Sequence, residues 1–325
     1  MAMFPAPTRR ALLAAATLTT GPVAAQERWP TRPVRLVVPF APGGPADLCA
    51  RLLADRLTSA WGQSVVVENR AGAGGNIGAD LVARAAPDGH TLLVPASSIV
   101  VAPFLVPNLA FDPLRDFATV TVALEYPMVV QAHPSLPARD MRELVEHARR
   151  NPGRVTFSTA GVGNTSHLAP ALFGHIAGVE LTHVPFGGAA PSQAAVIGGQ
   201  VSMSFNNPLQ SVAAIRAGQV RGLGVTGRTR WRDLPEVPTI AEQGFPDYEA
   251  IGWVGLLAPA RTPEPVLAQL ERDMVAVLQE GEVQARLRTA GFDPKAEGRA
   301  SFRALMEADT RLWGGFIRQA NIRQD

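Results

Sequence analysis

The stretch Val37–Asp47, VVPFAPGGPAD, has the residue types and spacing to hold a polar solute through its backbone. It reads as a buried apolar strand running into a Pro/Gly loop and then into a helix start, an edge that presents free N–H groups. Gly43 and Gly44 carry no Cβ to block a ligand's approach. Pro45 suits the first helical turn, where its missing N–H costs nothing. Asp47 falls near the third helical position, where a carboxylate suits the positive helix end. The same strand–loop–helix edge turns an ordinary corner in many α/β units, so alone it fits a turn as well as a site. Asp47 reads as a helix-end carboxylate, with contact to a ligand ammonium as the sharper alternative.

Side chains for covalent, redox or metal chemistry are scarce. Cys49 is the single cysteine, inside the first helix, and no neighbouring base marks it as a nucleophile. One thiol forms no internal disulfide, so core burial must supply stability. Ser166 and His167 are adjacent, but neighbours at a helix start diverge by about 100° of rotation, and no GxSxG elbow occurs. His167 reads as a capping or packing histidine rather than a base. The six histidines (90, 133, 147, 167, 175 and 183) form no HExxH or Cys/His cluster. Gly72-Ala73-Gly74 with Gly78 spaces as GxGxxxG, which is not the dinucleotide fingerprint. Lys295 is the only lysine, and no phosphate-binding GxxxxGK[ST] occurs.

Short β-rich runs and amphipathic helices alternate to position these groups. Strand Val34–Pro39, helix Asp47–Ser59, strand Ser64–Glu68, a helix to about Ala86 and strand Thr91–Pro95 make a βαβαβ order. That order predicts a parallel sheet with helices on both faces. On the first helix Leu48, Leu52, Leu53 and Leu57 form an apolar stripe, with Arg51 and Asp55 expected to pair on the other face. Val120–Ala132 is a longer extended run broken at Tyr126–Pro127, followed by helix Met141–Arg150. A second set comprises strand Val155–Ser158, helix Ser166–Ile176, strand Leu181–Pro185, helix Pro191–Ile197, strand Gln200–Phe205, helix Pro208–Ala217 and strand Val220–Thr226. A second extended run, Ala250–Pro259, precedes three helices: Pro263–Gln279, Glu282–Ala290 and Ala300–Gln319.

At the N-terminus Arg9 and Arg10 precede an apolar run, Ala11–Leu18, a Gly21–Pro22 break and the small residues Val23-Ala24-Ala25. This layout predicts a signal peptide over residues 1–25, with Thr8–Leu13 also matching a twin-arginine export signal. Removing it leaves 28 basic against 28 acidic residues, so nucleic-acid binding has no electrostatic support. No later segment is apolar enough for a membrane helix.

Two α/β sets joined by two extended runs predict two lobes with a double crossover: residues 26–126 plus 248–325, and residues 127–247. A ligand cleft then lies between them, lined by strand carboxyl ends and closed by hinge motion. Four loops follow predicted strands and are candidates to line it: Phe40–Ala46, Asn69–Gly78, Thr159–His167 and Phe186–Pro191, with Asn206-Asn207 beyond. Thr165 and Ser166 are expected to cap the next helix and present hydroxyls. A solute here would be held by backbone N–H groups, hydroxyls, amides and waters, an arrangement that accepts a carboxylate at a helix N-terminus.

Seven segments, in order along the chain, carry a resemblance: WPTRPVRLVVPFAPGGPAD (Trp29–Asp47), VVVENRAGAGGNIGAD (Val65–Asp80), APDGHTLLV (Ala86–Val94), FDPLRDF (Phe111–Phe117), GNTSHLAPALF (Gly163–Phe173), HVPFGGAAPSQAAVIGGQV (His183–Val201) and LPEVPTIAEQGFPDYEAIGWVGLLAPARTP (Leu234–Pro263). The chain resembles the Bug/TctC family of periplasmic solute-binding receptors of tripartite tricarboxylate transporters. The resemblance implies a two-lobed, type II-like periplasmic-binding fold, no catalysis, no cofactor and no metal. It implies small carboxylates or amino acids as ligands, a membrane permease as partner and a chain acting as a monomer. The ligand-lining positions it implies are Phe40, Pro42, Gly43, Gly44 and Asp47, then Gly161, Thr165, Ser166 and His167, then Pro185, Phe186, Gly187 and Asn207.

The chain also departs from the family pattern. Pro45 and Ala46 stand where a hydroxyl and a backbone donor are usual. Phe186-Gly187 replaces Tyr-Lys, and Asn206 and Ser202 stand where aspartates are common. The pocket should be less polar than its relatives', which favours a mono- or dicarboxylate with an apolar or aromatic part. A ligand-presenting role in signalling to a membrane sensor is the alternative to transport, since both use the closed, loaded surface.

Overall fold

The computed structural model describes residues 29–320 and 322; the expected signal peptide lies outside the described residues. In chain order the elements begin β1 (Val34–Val38), α1 (Pro45–Trp61), β2 (Val65–Asn69), α2 (Asn76–Ala83), β3 (Thr91–Leu93), α3 (Ala102–Leu105) and β4 (Phe117–Pro127). They continue β5 (Val129–Ala132), α4 (Met141–Arg150), β6 (Thr156–Thr159), α5 (Thr165–Ala177), β7 (Thr182–Pro185), α6 (Ala189–Ile197), β8 (Met203–Asn206), α7 (Pro208–Arg216) and β9 (Arg221–Val225). The last are β10 (Ile251–Pro259), α8 (Glu264–Gln279), α9 (Gly281–Thr289), β11 (Asp293–Glu297) and α10 (Arg299–Gln319).

Two sheets form two lobes, a six-stranded one ordered β11-β4-β10-β3-β1-β2 and a five-stranded one ordered β7-β6-β8-β5-β9. Val34, Leu36, Val37 and Val38 of β1 are fully buried, as a strand covered on both faces requires. β1 pairs in parallel with β2 and β3, which is the predicted βαβαβ unit. In the second lobe β6 is parallel to both β7 and β8. α1 buries Leu52, Leu53 and Leu57, each worth about 1.5–3 kcal/mol on leaving water.

The rest of each sheet is antiparallel. β10 runs against β4 from Ile251↔Pro127 to Pro259↔Phe117. β5 sits between β8 and β9, antiparallel to both. The chain therefore leaves the first sheet at the end of β4, enters the second as β5 and returns after β9 into β10. Thr226 ties these crossovers together. Its hydroxyl accepts from Met128 N at 2.7 Å and donates to Ala250 O at 2.5 Å. Buried backbone groups at the crossovers are satisfied this way.

Most expected elements form within a few residues of their expected ends, and α4 has the same bounds. Its start is fixed by Asp140, whose carboxylate accepts from Glu143 N. β11 was not expected: Asp-Pro-Lys-Ala-Glu has no apolar alternation, and its pairing comes from β4, with Lys295 2.9 Å from Glu125. Arg51 pairs with Asp47, not with Asp55. Both lie four residues away, but Asp47 precedes the arginine, the favourable orientation on a helix, and its carboxylate is already held in place by its loop.

Candidate functional site

The loops after β1, β2, β6 and β7 and the Asn206-Asn207 pair at the end of β8 converge on one cleft between the lobes, with a volume of about 420 Å³. The chain leaves each of these strands at its carboxyl end and soon enters a helix, so helix N-termini gather at the same place. The N-cap residues of five helices line the cleft: Gly44 of α1, Gly75 of α2, Asn164 of α5, Gly188 of α6 and Asn207 of α7. Of these only Asn164 caps with its side chain, accepting from His167 N. The other four helices have no side-chain cap, so no capping side chain takes their first-turn N–H groups at the positive end of the helix; Pro45, Pro191 and Pro208 carry none, and Asn76 N donates to Ala73 O.

The first loop is shaped by Asp47. Its buried carboxylate accepts from Gly43 N at 3.0 Å, from Arg51 Nε at 3.0 Å and Nη2 at 2.9 Å, and from Asn69 Nδ2 at 3.0 Å. Burial opposes its charge, but the bonds from Arg51, Gly43 and Asn69 together hold its carboxyl below the usual carboxylate range. Both oxygens are committed, which leaves the helix-end role and removes the basis for an ammonium contact. Gly43 adopts φ +92°, a conformation that favours glycine. Gly44 is extended, at φ −93° and ψ 178°, and no heavy atom lies within 4 Å of where its Cβ would stand.

The third loop is built from Thr159, Asn164, Ser166 and His167. Ser166 Oγ donates to Asn164 Oδ1 at 2.5 Å and accepts from Ala160 N at 3.0 Å. His167 Nδ1 accepts from Gly163 N at 3.2 Å. The serine and histidine thus bond the loop, not each other, and no nucleophile–base pair forms. His167 stacks on His183 with centroids 4.1 Å apart, and both rings stack on Phe157. Burial, with His183 adding repulsion, pushes His167 down to about 3, and burial alone pushes His183 down to about 4. Both imidazoles are therefore neutral near pH 7. Thr165 Oγ1 lies 2.7 Å from Ser97 Oγ, which belongs to the other lobe. The hydroxyls expected to face a solute are thus engaged by protein, and the cap is Asn164.

Phe40, Pro42, Gly43, Gly44, Asp47, Gly161, Thr165, Ser166, Phe186, Gly187 and Asn207 line the cleft. His167 and Pro185 do not. His167 lies behind the loop in the ring stack, and Pro185 ends edge strand β7 with an exposed side chain. Tyr126, Met128, Ser98 and Gln210 also line the cleft without having been singled out. Tyr126 and Met128 flank the crossover, and the break at Tyr126–Pro127 was the available signal. Among the described residues, no lysine, arginine or histidine lines the cleft. Arg70, in the second loop, is turned away to pair with Glu68. No group of side chains among the described residues could hold a metal ion, and no described helix is long and apolar enough to cross a membrane.

Comparison with known proteins places this geometry. Residues 49–322 match the model of the tripartite tricarboxylate transporter family receptor. A protein encoded in the tcbD–tcbE intergenic region of Pseudomonas sp. strain P51 is 39% identical over 314 residues, covering 95% of this chain and 94% of the relative. A protein of R. palustris solved with adipate superposes with a TM-score of 0.86 at 36% identity, over 91% of this chain and 100% of the other. The periplasmic binding protein BugD superposes with a TM-score of 0.84 at 33% identity, again over 91% and 100%. With two sheets, a double crossover and helix N-termini gathered at the cleft between lobes, this chain belongs to the Bug/TctC family of tripartite tricarboxylate transporter receptors.

Proposed function

We propose that this protein captures a small organic acid between its lobes in the periplasm and delivers it to a membrane transporter. One observation carries this reading: five helices begin at a cleft that, among the described residues, no cationic side chain lines. A carboxylate there meets the partial positive charge of helix N-termini, each worth roughly 0.3–1 kcal/mol and up to about 2 kcal/mol where partly buried. The remaining wall, with Phe40, Tyr126, Met128 and Phe186, suits an apolar body. A volume of about 420 Å³ is in the range of small-molecule pockets. The adipate held by the R. palustris relative is an acid of that kind, and here a mono- or dicarboxylate with an apolar or aromatic part is the favoured class.

The moving bodies are residues 26–126 plus 248–325 and residues 127–247, hinged where Thr226 binds both crossovers. Residues 1–25 direct export, and the chain acts as a monomeric receptor with no cofactor and no catalytic step.

The test is to express residues 26–325, identify copurifying solute by native mass spectrometry, and run a thermal-shift panel of organic acids, amino acids, sugars and metal ions. A bound acid at a hundredfold excess over Kd should add about 2.7 kcal/mol of stability. A shift with a sugar or metal ion and none with any carboxylate would refute the assignment.

A further inference from the structure

Behind the cleft wall of the second lobe lies a relay of buried amides with a single direction. Gln131 Nε2 donates to Ser204 Oγ at 2.9 Å and to Gln193 Oε1, and Gln193 Nε2 returns a bond to Gln131 Oε1 at 3.3 Å. Asn206 Nδ2 donates to Gln193 Oε1 at 2.9 Å and to Gln210 Oε1 at 3.0 Å. Both amide hydrogens of Asn206 are thereby used, and its Oδ1 must be an acceptor. It accepts from Asn207 N at 2.9 Å and from Asn207 Nδ2 at 3.2 Å. Flipping the Asn207 amide would set two carbonyl oxygens against each other, so the relay fixes that amide as well.

The relay ends on an unpaired acceptor. Asn207 is 5% exposed and lines the cleft, and its Oδ1 is buried with no hydrogen-bond partner among the described residues. An N-cap asparagine ordinarily spends this oxygen on its own helix, and Asn207 does not. A buried acceptor left unsatisfied costs more than a typical bond gains. The geometry points to a solute that brings a neutral hydrogen-bond donor, a hydroxyl or an amide N–H, to Asn207 Oδ1 besides its carboxylate. This rests on the organic-acid reading above and narrows it: a second carboxylate at Asn207 would set oxygen against oxygen.

The test uses residues 26–325 and matched acids of four to six carbons: the unsubstituted monoacid, its ω-hydroxy and ω-amide derivatives, and the diacid, each titrated calorimetrically. The donor-bearing acids should bind at least about tenfold more tightly than the monoacid or diacid of equal length. Asn207→Ala should erase that preference, with the donor-bearing acids losing at least about tenfold more affinity than the monoacid. The wild-type ranking needs no variant, so it decides the matter even if Asn207→Ala folds poorly. A diacid binding as tightly as its ω-hydroxy counterpart overturns the inference alone, as does an equal loss for all acids in Asn207→Ala. If no acid in the set binds while another solute class does, the organic-acid reading falls and this inference with it.

Discussion

Gly44→Val separates a binding loop from a mere turn. The backbone at Gly44, φ −93° and ψ 178°, is open to β-branched residues, and no heavy atom would lie within 4 Å of the new Cβ. Folding cost should be small: valine is a poor N-cap, but removing a glycine restricts the unfolded chain by about 0.4–1 kcal/mol. The net change in stability should stay within about 0.5 kcal/mol. Binding should suffer far more, because the side chain enters the cleft. Crowding a closed site typically costs about 1–3 kcal/mol, or roughly a five- to 150-fold loss in affinity. Gly43→Val is the contrasting variant: at φ +92° any side chain adds about 1–2 kcal/mol of backbone strain, so it should lower stability first. Calorimetric titration with an acid that stabilises the wild type, alongside chemical denaturation, gives both quantities. Normal affinity in Gly44→Val would mean that the loop only turns the chain, and a large loss of stability would mean that the space beside Gly44 has been misjudged.

Asp47→Asn should cost about 1–3 kcal/mol, because an amide cannot accept all of the bonds from Gly43, Arg51 and Asn69. It should weaken binding of every solute alike; a selective loss for ammonium-bearing ligands would restore the direct contact. Since the folded Asp47 carboxyl titrates below its ordinary range, its contribution is present above the unfolded value and is lost as pH falls through the folded one. Asp309 has the opposite sign. Burial raises it to about 6, although Trp253 Nε1 donates to it at 2.7 Å. Stability should therefore decline as pH rises from the ordinary aspartate range to about 6, and Asp309→Asn should flatten that decline and gain up to about 3 kcal/mol at pH 7.5. An unchanged melting profile between pH 4 and 7.5 would rule this out. Thr226→Val strands Met128 N and Ala250 O at the hinge and should cost about 2 kcal/mol or more by denaturant unfolding; a neutral effect would mean that water replaces the hydroxyl there.

The site was legible where its signal is local. Gly43, Gly44 and Pro45 announce a loop entering a helix, because φ preferences and the missing proline N–H act within a turn. What Asp47, Ser166 and His167 do was not legible. Asp47 owes its role to Asn69, 22 residues away. Ser166 and His167 face inward because the loop from Ala160 to Gly163 folds back onto them. Arg51 had two acids at equal spacing, and only the folded loop chose between them.

Alternating apolar runs and helix stripes were enough to establish an α/β chain with two sets of strands and two crossovers. Their periodicities reflect burial on one face or both, which each segment carries alone. Which strands are antiparallel, where β11 pairs, and that five helix N-termini meet at one cleft depended on assembly. Those outcomes come from hydrogen-bonding edges and buried polar atoms far apart in the chain. The unpaired acceptor on Asn207 is the clearest case, since it exists only because Gln131, Gln193 and Asn206 meet in space and settle one another's direction.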